Sequence, residues 1–136
     1  MGPEDQTVTR PGAAQLIQRA LLLRCPSCGK GRVLLSWLRM RSRCPECNLR
    51  LDRGESDYFV GAYMVNLIVA ELIVVAGMLV ALFVTWPDVP WDALKWALAC
   101  TMVPAPFVTF PFSRTLWLAI DLMFRPASIE DFTPDP

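Results

Sequence analysis

The apolar positions change their pattern sharply along the chain. Up to residue 57 they come in short runs broken by charge: AAQLIQRALLL over 13–23, then VLL, WL and LRLD within the next thirty residues. From Tyr58 to Pro87 a single residue, Glu71, is charged, and from Trp96 to Ser113 none is. A helix over 58–84 is roughly 40 Å long, enough to cross a hydrocarbon core of about 30 Å with some tilt. A second span over 94–113 is near the minimum length and carries Pro104, Pro106 and Pro111. Between them, TWPDVPWD (85–92) reads as a tight turn. Tyr58, Phe59 and Tyr63 at one end of the first span and Trp86 at the other suit the two membrane interfaces.

The remaining segments predict smaller elements. Residues 13–23 fit a short amphipathic helix, with Gln15, Gln18 and Arg19 opposite Leu16, Ile17, Ala20 and Leu23. Such a helix can lie on a membrane surface or pack on its neighbour. GRVLLSWLRMRSR (31–43) predicts two short strands and a turn, and LRLD (49–52) a third strand. Within 113–125, Arg114, Leu118, Asp121 and Arg125 share one helical stripe. This predicts an interfacial helix over 114–125 lying along the headgroups. Residues 1–12 and 126–136 read as loose tails. The division is then a tail and short helix (1–23), a cysteine module (24–57), a membrane domain (58–125) and a C-terminal tail (126–136).

Charge separates the same two halves. Lys and Arg total 13, equal to Asp and Glu, yet ten of the basic residues precede residue 58. The inter-span turn carries Asp88 and Asp92 against Lys95. By the positive-inside rule the N-terminus lies in the cytoplasm, and two spans return the C-terminus to that side. The polar first twelve residues hold no apolar stretch for a cleavable signal, so insertion is expected to start from the internal helices.

Histidine is absent, which removes Ser-His-Asp and Cys-His nucleophile pairs and imidazole metal sites. Four of the five cysteines form two pairs, Cys25-Pro-Ser-Cys28-Gly29 and Cys44-Pro-Glu-Cys47-Asn48. Each CxxC turn aims two sulfurs at one point, and Gly29 and Asn48 are residue types that tolerate positive φ. The spacing fits a four-cysteine zinc site. A rubredoxin-like iron site uses the same ligands, and disulfides are disfavoured in a reducing cytoplasm. A module of about 30 residues buries too little apolar area to fold alone, so the metal acts as a staple. Four thiolates close the coordination sphere, which points away from a catalytic metal.

The module is also basic. Arg24, Lys30, Arg32, Arg39, Arg41, Arg43, Arg50 and Arg53 face only Glu46 and Asp52. Such a patch attracts anionic lipid or an acidic protein. Nucleic acid is the weaker reading, because Trp37 alone is available for stacking.

Within the first span, Glu71 stands midway. An intramembrane acid is costly unless protonated, paired or near water. The second span offers acceptors: Pro104, Pro106 and Pro111 lack N–H groups, freeing the carbonyls of Cys100, Met102 and Phe107. A neutral Glu71 donating across the pair is therefore expected. Ala62, Asn66, Ala70, Gly77 and Ala81 line another face, on which Gly77-x3-Ala81 permits close approach. Two contact faces on a two-span protein imply an oligomer or a protein partner. Cys100 reads as a small buried side chain.

The run RCPSCGKGRVLLSWLRMRSRCPECNLRLDRGESDYFVGAY, followed by two apolar spans, resembles bacterial membrane proteins of domain-of-unknown-function family 983. The pairing of CPxCGxG and CPxC with the segment Leu49 to Asp57 carries the resemblance most specifically. Ser113 to Trp117 matches more loosely. It implies a zinc-ribbon N-terminus and two helices in the inner membrane, with an accessory role near haem–copper oxidase assembly. The leading expectation is a small zinc ribbon followed by a two-span helical hairpin and an interfacial helix, acting without enzymatic activity to dock or assemble a partner. Alternatives are an iron–thiolate electron carrier and a proton, ion or small-molecule pathway around Glu71.

Overall fold

The protein is described by a computed structural model covering residues 11–134. Most of the tail expected over 1–12 lies outside these residues. Helix α1 (Ala13–Leu21) leads into a ribbon whose hairpin comprises β1 (Leu34–Ser36) and β2 (Arg39–Met40), followed by helices α2 (Val60–Thr85), α3 (Trp91–Met102), α4 (Ala105–Phe124) and α5 (Ile129–Phe132). The hairpin strands are antiparallel, pairing Leu34 with Met40 and Ser36 with Arg39. LRLD is not a third strand. Arg50 makes one isolated bridge to Arg43, while Leu49 and Leu51 turn into the ribbon core.

Helices α2 and α4 are both long and apolar enough to cross a membrane. The core side of α2 is narrow: Ala62, Asn66 and Ala70 are its buried residues. Steps of four place them on one stripe, and their small volume lets α4 approach closely. Gly61 seats the Trp117 indole, where a Cβ would collide with the ring. Gly77, expected on the tight stripe, has Leu98 of α3 no nearer than 4.0 Å to its would-be Cβ. Thus α4 covers the ribbon-side half of α2 and α3 runs beside the far half.

The return path differs from one uniform span over 94–113. It breaks at Val103-Pro104, because Pro104 cannot supply an N–H to Cys100 and its ring crowds that turn. From Ala105 a new helix runs without interruption to Phe124, so the stretch over 114–125 continues the returning helix instead of starting a separate element. No glycine or proline after Pro111 gives it reason to stop before Arg125. Pro111 sits inside α4 and frees the carbonyl of Phe107. The Trp37 indole N–H donates to that carbonyl at 2.8 Å.

The core lies where α1, the ribbon and the last turns of α4 meet: Leu16 and Ala20, then Val33, Leu49 and Leu51, then Leu118, Ala119 and Leu122, with Tyr58 among them. α1 packs on α4, and Thr115 Oγ1 donates to the Ala20 carbonyl at 2.8 Å. The C-terminal segment is docked, not loose, over α5. Ser128 and Asp131 form a capping box, and Asp131 pairs with Arg53 at 2.9 Å.

Candidate metal centre

The two cysteine turns are built alike. Gly29 N–H donates to the Cys25 carbonyl at 2.8 Å, and Asn48 N–H to the Cys44 carbonyl at 3.0 Å. Gly29 has φ +73° and Asn48 φ +60°, the left-handed conformation that glycine takes freely and asparagine tolerates. Each loop is closed behind its first cysteine, by Cys25 N–H to Gly31 and Cys44 N–H to Leu49, both at 2.9 Å.

The result brings Cys25, Cys28, Cys44 and Cys47 together, with all four sulfurs within 4.8 Å of one another. Cys25 Sγ lies 3.8 Å from Cys47 Sγ, and Cys28 Sγ 3.7 Å from Cys44 Sγ. A tetrahedral metal with bonds of about 2.3 Å requires sulfur–sulfur edges of about 3.8 Å. A disulfide requires about 2.05 Å, and all five cysteines are free. The four thiols therefore have the geometry to hold one metal ion. Gly31 contributes by its lack of a side chain, since a Cβ there would fall on Cys44 Sγ.

Without metal the thiols of Cys25, Cys28 and Cys47 are unequal. Burial raises Cys28, but N–H donation from Gly31 and Lys30 and the thiols of Cys44 and Cys47 outweigh it, bringing the pKa down to about 7. Cys47 is pushed up to about 11, first by burial. Cys25 is raised, again chiefly by burial, with the neighbouring sulfurs adding repulsion. A bound cation reverses these penalties, because a coordinating thiol is deprotonated outright.

Both ends of the chain hold the centre. Arg19 of α1 donates to the Pro26 and Ser27 carbonyls of the first turn, at 3.0 and 2.6 Å. Asn48 Nδ2 of the second turn donates to the Phe132 carbonyl of α5 at 3.0 Å. Beneath them, Arg53 bridges Asp131 and Asp121, the second at 3.4 Å, with its side chain 8% exposed. Tyr58 donates to Asp121 at 3.1 Å.

The eight basic residues do not form one patch. Arg24, Lys30, Arg32, Arg39 and Arg41 are exposed. Arg43 donates to the Asn48 carbonyl, Arg50 pairs with Asp52 at 3.0 Å, and Arg53 belongs to the buried network.

In the helix pair the polar link is Asn66, not Glu71. Asn66 Nδ2 donates to the Pro106 carbonyl at 3.1 Å, and its Oδ1 accepts from Thr109 at 2.5 Å and Ser113 at 3.1 Å. Glu71 lies on the exposed side of α2. From 66 to 71 is five residues, about 140° around the helix, so only one of them can face α4. Cys100 is likewise exposed. Sequence offered the Thr101 and Thr109 hydroxyls as partners for Glu71; the structure joins Thr109 to Asn66 instead, and adds Ser113, which the sequence reading missed and whose four-residue spacing from Thr109 places two hydroxyls on one face.

A four-thiol ribbon seated on two helices of membrane-crossing length and apolarity fits a membrane-associated metal-binding protein. The chain belongs to the DUF983 family, described as proteins of unknown function, whose model matches residues 35–122. That match takes in the hairpin, the second cysteine turn and nearly all of the main helices, while Cys25 and Cys28 precede it. No curated relative and no solved structure matches the chain.

Proposed function

We propose that this protein is a membrane-anchored zinc-ribbon accessory protein, without enzymatic activity, that docks or assembles a partner protein at the cytoplasmic face of the bacterial inner membrane. The observation that carries this reading is the outward placement of Glu71. Its neighbours on α2 include Leu67, Ile68, Leu72 and Val75, all exposed. A carboxyl group amid hydrocarbon is costly unless protonated, paired or near water, and a hydrogen bond from another chain meets that cost. Thr109 and Ser113, the hydroxyls that α4 turns toward α2, are already engaged with Asn66. A lateral partner supplies what the fold itself does not, and a respiratory oxidase complex is the partner class that the family resemblance suggests.

The ribbon supports the same reading. Four thiolates leave a metal no open position for substrate, so its part is to hold a surface in shape. Five exposed cations on that surface favour the cytoplasmic side. An even number of crossings agrees with α5 docking on the ribbon. Zinc is the metal proposed. About one zinc per chain in a colourless protein supports it, whereas stoichiometric iron with thiolate absorption bands would replace it with an electron carrier.

The lateral contact is tested with a photo-crosslinking residue at Val75, one turn beyond Glu71, in cells and in reconstituted membranes. A discrete protein–protein product is expected, retained with Glu71→Gln and lost with Glu71→Leu. Lipid adducts alone, or a product indifferent to Glu71→Leu, would overturn the reading.

A further inference from the structure

We propose that Arg114 is the centre of a binding site for the phosphate group of an anionic phospholipid, drawn from the leaflet on the ribbon side. The Arg114 guanidinium lies over two rings, 4.7 Å from the centroids of both Phe59 and Phe110. These contacts engage the charge but not the N–H groups, which lie in the plane of the fork and need oxygen acceptors. There it reaches the Leu38 carbonyl at 3.5 Å, a long contact. Its buried Nε has no partner, and among the described residues no carboxylate pairs with it. An arginine held against two rings, with in-plane donors left without a close acceptor, is matched by phosphate oxygens, which accept two parallel N–H bonds.

The surroundings specify a lipid and not a free anion. The hairpin tip projects Leu35, Trp37 and Leu38, each more than half exposed, beside α4. Trp37 is anchored there by the Phe107 carbonyl and packs edge-on against Phe112, centroids 6.3 Å apart. On α4 itself Phe107 is exposed. An apolar tip held against an apolar helix suits acyl chains, and an indole suits the interface between chain and headgroup. From Tyr63, at the level of Phe110, to Trp86 at the far end, α2 rises about 34 Å, close to a bilayer core of about 30 Å. Arg114 then lies at headgroup depth.

Net charge chooses among headgroups. Arg39 and Arg41 are exposed on the hairpin, and no acidic residue occurs from Gly29 to Pro45. A headgroup with net negative charge is favoured over a zwitterionic one by this excess of cations. The inference rests on the membrane placement of the helices and is independent of any contact made by Glu71.

The test uses full-length protein with its metal, exchanged into nanodiscs of phosphatidylglycerol and phosphatidylcholine in equal amounts, with retained lipid counted by native mass spectrometry. Wild type is expected to keep about one phosphatidylglycerol per chain, and Arg114→Gln to lose that preference by about tenfold. Arg114→Lys, which keeps the charge but not the fork, should fall between them. Unchanged metal content marks variants that are folded. If Arg114→Gln fails that control, Arg114→Lys carries the comparison. Equal retention of the two lipids by wild type, or a folded variant indistinguishable from it, would overturn the site. So would displacement of the bound lipid by inorganic phosphate at millimolar concentration.

Discussion

At the scale of single residues, the metal ligands were legible because their chemistry is local. A CxxC turn encodes its own geometry, and the positive φ expected at Gly29 and Asn48 is present at both. Glu71 and Asn66 were ranked in the wrong order for the helix contact. Sequence placed Asn66 on the stripe of small residues but gave the cross-helix hydrogen bond to Glu71, because a charge in an apolar run is the more conspicuous group. Yet packing favours the smaller group: Asn66 fits between Ala62 and Ala70 and meets three groups of α4. The ligands also carry a consequence for pH. In metal-free, reduced protein Cys28 should ionise before Cys25 and Cys47, because its pKa is lowered from 9.0 to about 7 while theirs are raised. Its thiolate therefore contributes stability above about pH 9, which is lost as pH falls through about 7. Brief alkylation followed by peptide mass spectrometry should modify Cys28 well before Cys25 or Cys47 at neutral pH, with the rate falling below about pH 7.

At the scale of elements, the apolar run from residue 58 announced α2 to within two residues at its start. The returning path was harder, because three prolines in one apolar run have different fates. Pro104 and Pro106 mark a break and a helix start. Pro111 stays within α4 because its freed carbonyl finds the Trp37 indole, seventy residues earlier in the chain. Composition signals a free carbonyl but does not identify a distant donor. The same limit hid the α2–α4 link. That link predicts a bounded effect. In Asn66→Ala, Thr109 and Ser113 keep bonds to the Ala105 and Thr109 carbonyls of their own helix, so few buried groups are stranded. A loss of about 1–2 kcal/mol is expected. Denaturant unfolding in mixed micelles measures it, with metal content unchanged.

At the scale of the whole molecule, the ribbon and helices form one body. α1 braces the first cysteine turn, α5 braces the second, and Arg53 joins ribbon, α4 and tail through two carboxylates. Sequence suggested a ribbon followed by a membrane anchor, left the first helix to lie on the membrane or pack on its neighbour, and read the C-terminal end as a loose tail. The ends are structural because a module this small needs additional cover, which Leu16, Ala20 and Phe132 provide. Metal removal should therefore be felt beyond the cysteines. After chelation, amide hydrogen exchange is expected to rise in 24–51 and, with it, in α1 and around residues 129–132. Residues 64–84 of α2 should remain protected. An increase confined to the cysteine turns would show that the braces act independently of the metal.

The bond from Trp37 to the Phe107 carbonyl has a further implication for how any encounter takes place. A domain on a flexible leash samples the volume its tether allows and meets targets in three dimensions. A hairpin fastened to α4 has almost no such reach. With α2 and α4 across a bilayer, as proposed, its orientation toward the membrane plane would be fixed, and its position would change only as the whole chain drifts and spins within the lipid sheet. Search then becomes a problem in two dimensions, governed by lateral diffusion and by which side of the protein happens to face its target.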